Sequence, residues 1–80
     1  MKDIEMIASF DDKGIPHPYR FRMQVEDESL LVVKIDKILF AEENKRDSII
    51  KYRCECVIQK RKRAGDIYYY KNDMKWYLSM

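Results

Sequence analysis

Residues 49–78 read IIKYRCECVIQ (49–59), KRKRAGD (60–66) and IYYYKNDMKWYL (67–78), and the fold turns on how they are parsed. In the first segment Ile50, Tyr52, Cys54, Cys56 and Ile58 alternate with Ile49, Lys51, Arg53, Glu55 and Val57. In the last, Tyr68, Tyr70, Asn72, Met74, Trp76 and Leu78 alternate with Ile67, Tyr69, Lys71, Asp73, Lys75 and Tyr77. A period of two with β-branched and aromatic enrichment predicts two long strands, with the basic, glycine-containing KRKRAGD as their turn. Charge sets the expected register. Glu55 opposite Lys71 and Arg53 opposite Asp73 are attractive, and the neighbouring registers oppose like charges at a cost of a few tenths to about 1 kcal/mol each.

Working outward, DIEMIASF (3–10) alternates as a strand with Ile4, Met6, Ala8 and Phe10 inward. Gly14, Pro16 and Pro18 then predict a loop. Tyr19–Val25 is a second strand, with Tyr19, Phe21, Met23 and Val25 inward and Arg20, Arg22 and Gln24 outward, returning through the acidic turn Glu26–Ser29. LLVVKIDKILF (30–40) has some helical spacing at Ile35, Ile38 and Leu39. Pairing with the next strand favours β, because it sets Lys34 against Glu55 and Asp36 against Arg53. Lys37 then falls on the inner face, which a β-bulge nearby, or a lysine stem snorkelling to the rim, would resolve. Residues 41–48, AEENKRDS, form a charged connection.

These segments predict an all-β domain spanning residues 1–80. It is a small five-stranded antiparallel meander that curls into a strongly bent sheet or a barrel of the SH3-like or OB-like kind, an architecture that carries no function by itself. An 80-residue chain buries only about 60% of its unfolded surface and is therefore marginal unless it packs well or associates. The net charge of +2 is too mild to demand a polyanionic partner. No apolar run reaches the ~18 residues of a membrane span, and the N-terminus lacks the apolar core of a secretion signal. Two cysteines without such a signal point to reduced thiols in the cytoplasm.

Catalytic chemistry is poorly provided for. There is no nucleophile–histidine–acid set, no glycine-rich phosphate loop and no histidine cluster. The expectation is a non-enzymatic protein with no cofactor and no metal. Cys54-Glu55-Cys56 puts both thiols on one strand face, without the second pair of ligands that a structural zinc needs, so they read as small buried hydrophobes. His17, the one histidine, reads as a solvated loop residue.

Two functional readings follow. The first is an accessory protein that associates as a homodimer through an outer-face cluster of Leu30, Val32, Val57, Ile67 and Tyr69. The second is a small nucleic-acid binder that uses Lys60, Arg61, Lys62 and Arg63 at the hairpin tip, with Arg20, Arg22, Tyr69 and Tyr77 as further contacts. Its expected affinity is weak and salt-sensitive, because the net charge is small and the free basic residues sit at one tip, while Lys34, Arg53 and Lys71 are expected to have acidic partners.

Overall fold

Strands form where the alternation predicts them, and the acidic turn Glu26–Ser29 joins two of them as expected. The expected loop at Pro16–Pro18 is strand, however, and the turn of the 49–78 hairpin falls elsewhere. A computed structural model describes residues 1–80 as six strands: β1 (Lys2–Phe10), β2 (Pro16–Gln24), β3 (Leu30–Asn44), β4 (Ile49–Ile58), β5 (Arg61–Tyr70) and β6 (Lys75–Ser79). They pair antiparallel in chain order, and β6 returns to β1 through Lys2–Leu78 and Ile4–Trp76 to close a barrel. Closure removes the free edges that an open sheet would present. The all-β barrel is as expected; the strand count is six rather than five.

The difference comes from the 49–78 hairpin. Its turn is the dipeptide Gln59-Lys60, with Ile58 facing Arg61, and RKRAGD belongs to the strand. Both turn residues have positive φ (49° and 67°), the backbone of a two-residue hairpin turn whose twist matches the flanking strands. Each step along this ladder pairs residues of opposite parity: Cys54 faces Gly65, Arg53 faces Asp66 and Tyr52 faces Ile67. The expected pairings Glu55–Lys71 and Arg53–Asp73 therefore do not occur. Arg53 binds Asp66 instead, at 3.0 Å. A one-residue change of register turns every side chain over, so Ile67 and Tyr69 lie inside while Tyr68 and Tyr70 lie outside. The turn over residues 71–74 holds Asn72 and Met74, breaking what reads as one strand. It also restores the expected parity, with Trp76 and Leu78 inward.

β3 is longer than expected and runs through Asn44, absorbing half of the charged connection. Its register on β4 slips twice, at Asp36 and at Leu39, so that Lys34 faces Val57, Lys37 faces Glu55 and Phe40 faces Arg53. The expected Lys34–Glu55 and Asp36–Arg53 pairs are thus replaced. The bulge at Asp36 moves Lys37 to the outer face, the first of the two resolutions anticipated for that residue. β2 pairs with β3 only from Arg20 to Gln24. Pro16 and Pro18, which have no N–H to donate, occupy the half of β2 that leaves β3 unpaired.

The core is the barrel interior: Ile4, Phe21, Val33, Ile50, Tyr52, Cys54, Cys56, Ile67, Tyr69 and Leu78. Tyr52 crosses it and donates its hydroxyl hydrogen bond to the Pro16 carbonyl, tying β4 to the half of β2 that has no β3 partner. Gly65 is a buried strand residue opposite Cys54. A Cβ there would lie 2.9 Å from Cγ of Met80, an exposed terminal side chain that would have to move aside.

Candidate binding groove

The expected apolar cluster does not survive intact. Ile67 is fully buried and Tyr69 nearly so, both in the core, and Val57 is half-buried. Only Leu30 (58% exposed) and Val32 (61%) present large apolar area. The expected basic tip is also divided. Lys60 is in the turn, and Lys62 faces outward from its position opposite Val57, 3.7 Å from Asp36. Arg61 and Arg63 face Ile58 and Cys56, the inward positions, and emerge exposed at the barrel rim. Of the two arginines on β2, Arg22 is held by Glu5 at 2.9 Å.

What the fold brings together is a groove over β1–β4. The cross-strand row Ile7–Arg20–Lys34–Val57 runs across four strands, with Val32 beside it. Ile7, Val32, Ile35 and Val57 make the apolar floor, and Tyr19, Arg20, Lys34, Gln59 and Lys60 stand around it. No acidic residue lines the groove. Arg20, Lys34 and Lys60 are exposed and take part in none of the ion pairs, which engage Arg22, Lys51, Arg53, Lys62 and Lys71. Lys34, expected to be neutralised, is free, because the β3–β4 register sets it opposite Val57 and gives Glu55 to Lys37.

Tyr19 reaches the groove through a local irregularity. Ile7 pairs with Arg20 and Ala8 with Pro18, which leaves Tyr19 unpaired as a bulge on β2. Pro18 is buried, Tyr19 and Arg20 are both exposed, and Phe21 is buried again, so an aromatic ring and a cation share the outer face as consecutive residues. Bulges re-aim side chains in this way. The Tyr19 ring lies 4.8 Å from that of His17, centroid to centroid, and its hydroxyl accepts a hydrogen bond from Ser9 Oγ at 3.3 Å. Alternation alone places Tyr19 inward. The available signal against that placement was the Pro16/Pro18 pair, since proline inside a strand goes with edges and bulges.

The remaining chemistry is inert. Burial pushes the Cys54 thiol up to about 12, with Cys56 and Asp66 adding to the effect, and burial also raises Cys56. Both thiols are free, and a protonated thiol is a poor nucleophile and a poor ligand. No group of three His, Cys, Asp or Glu side chains is placed to hold a metal. No helix is long and apolar enough to cross a membrane. Comparison with family models, curated proteins and solved structures found no match.

Proposed function

We propose that this chain is a non-enzymatic binding module whose outer groove holds nucleic acid through its phosphates. The observation that carries the reading is the arrangement of Arg20, Lys34 and Lys60, three cations without carboxylate partners around an apolar floor with no acid in the lining. Unpaired surface cations that neutralise phosphates displace the counterions condensed on the polyanion, whereas cations already in ion pairs contribute little. The mild net charge keeps the interaction weak. A cytoplasmic location belongs to the same proposal and is supported by the two free thiols.

The test is anisotropy titration of labelled oligonucleotides over a salt series. Engaging three phosphates of a single strand gives a log–log slope of about −2, so affinity falls roughly twentyfold between about 50 and 200 mM salt. Arg20→Gln, Lys34→Gln and Lys60→Asn together should abolish binding while leaving the melting curve intact. Binding that is flat with salt, or that survives this triple change, overturns the reading.

A second reading, homodimerisation, rests on Leu30 and Val32, each more than half exposed. Its interface excludes Ile67 and Tyr69. A two-fold contact over the groove itself would bring the two sets of Arg20, Lys34 and Lys60 together, which repels at low salt. Light scattering of the parent beside Val32→Glu tests it. A parent that is monomeric at high micromolar concentration, in both low and high salt, overturns it.

A further inference from the structure

Resting on the nucleic-acid reading, we infer that the groove takes single-stranded rather than duplex nucleic acid, with one base stacking on Tyr19 while phosphates follow Arg20, Lys34 and Lys60.

Three observations point the same way. First, the β2 bulge puts an aromatic ring, 50% exposed, directly beside a free cation. Sequence-tolerant single-strand binders combine these two elements, a basic track for the backbone and a π-face for an unpaired base. A duplex hides its base faces and would leave Tyr19 without a partner. Second, the ring is held before any ligand arrives, by His17 against it and by the Ser9 hydroxyl on its oxygen. A preordered side chain loses less conformational freedom on binding. Third, the elements that read a duplex are missing on this face. A duplex's major groove admits a helix or a projecting two-stranded ribbon. The chain has no helix. The basic hairpin is flush with the barrel, because Val57 is still paired with Lys34 and only Ile58 and Arg61 extend beyond it before the turn. A floor of Ile7, Val32 and Val57 also suits the apolar faces and edges of splayed bases better than a continuous phosphate wall.

The experiment compares a fluorescein-labelled oligo-dT strand, its duplex with oligo-dA, and oligo-U of the same length, at fixed low salt. The proteins are the parent, Tyr19→Ala, Tyr19→Phe and the triple cation variant, all confirmed folded by circular dichroism. The inference expects the parent to bind both single strands more tightly than the duplex. Tyr19→Ala should lose roughly tenfold on single strands, and Tyr19→Phe, which keeps the π-face but lacks the hydroxyl that Ser9 holds, should lose clearly less than Tyr19→Ala. Duplex binding equal to single-strand binding overturns the inference. So does a Tyr19→Ala protein that matches the parent on single strands. In either case the triple variant's loss of binding would still uphold the broader phosphate reading. Failure of the parent to bind any of the three probes overturns both.

Discussion

Replacing Ile67 with alanine should destabilise this protein more than any change on its outer face. Ile67 is fully buried in the barrel, and the substitution removes three carbons. At about 0.8 kcal/mol per buried methylene the transfer loss is about 2.4 kcal/mol, and the cavity left behind raises the cost into the range of about 2–5 kcal/mol. An 80-residue domain holds roughly 4–12 kcal/mol in all, so the variant loses a large share of its stability. In a domain of this size each kcal/mol moves Tm by about 4–8 °C, giving a drop of roughly 8–40 °C. Thermal melts followed by far-ultraviolet circular dichroism read it. Tyr68→Ala supplies the control, because Tyr68 faces Tyr77 on the half-buried outer surface and should cost clearly less. Val32→Ala, at a position 61% exposed, should stay within about 0.5 kcal/mol of the parent. An Ile67→Ala protein that melts within about 3 °C of the parent would refute the β4–β5 register. So would a Tyr68→Ala protein that is the more damaged of the two, because Tyr68 would then be the residue facing the core.

Alkaline pH should unfold the protein through its own core. Burial raises the Tyr52 hydroxyl from 10.0 to about 12 and the Cys54 thiol from 9.0 to about 12. Both are acids whose folded value lies above the unfolded one. Their contribution is therefore complete below about pH 9 and declines as pH rises toward 12, because the unfolded chain releases the proton first. Urea midpoints from about pH 8 to 11 should fall steadily, and a midpoint that stays constant would contradict this. Tyr52→Phe should flatten the upper part of that decline while costing about 1–2 kcal/mol at neutral pH, since the Pro16 carbonyl loses its donor. Changing Gln59-Lys60 to Asn-Gly should raise stability by about 1 kcal/mol, because both positions have the left-handed backbone that side chains resist. The same variant should weaken oligonucleotide binding by removing the Lys60 charge. A lower Tm would show that residues 59 and 60 do not hold that left-handed backbone.

Much of the barrel was legible in the residues themselves. Alternation marked the strands, and it placed Ile4, Phe21, Val33, Ile50, Tyr52, Cys54, Cys56 and Leu78 on the side that is buried, because a period of two is a property of the extended backbone. The chain order of the strands followed from short connections, which leave antiparallel neighbours as the simplest arrangement. Where one strand ends and the next begins was not legible, for a physical reason. Apart from Gly14, turn positions with positive φ are filled here by Glu28, Ser48, Gln59, Lys60 and Met74 rather than by glycine or asparagine. Gly65, which looks like turn punctuation, is a strand residue paired with Cys54. Charge pairing was a poor guide to register, since exposed pairs contribute at most about 1 kcal/mol, less than burying Ile67 and Tyr69 in place of Tyr68 and Tyr70.

The candidate site depended on tertiary structure more heavily still. Lys60 and Arg20 were visible as basic residues, but three slips of register made the groove. The bulge at Tyr19 turned an apparently inward ring outward, and the β3–β4 register, bulged at Leu39 and Asp36, gave Glu55 to Lys37 and set Lys34 opposite Val57. A bulge is decided by how whole strands wrap around a common core, where one extra residue relieves the curvature of a small closed barrel. By itself, the sequence determined that the chain is β, that its hydrophobic periodicity fills one interior and that its cations outnumber its acids only slightly. Which cations stand free, and which aromatic ring stands beside them, was decided only when six strands closed on one another. Pairing across the sheet is a property of strands distant in sequence, and no single stretch encodes it.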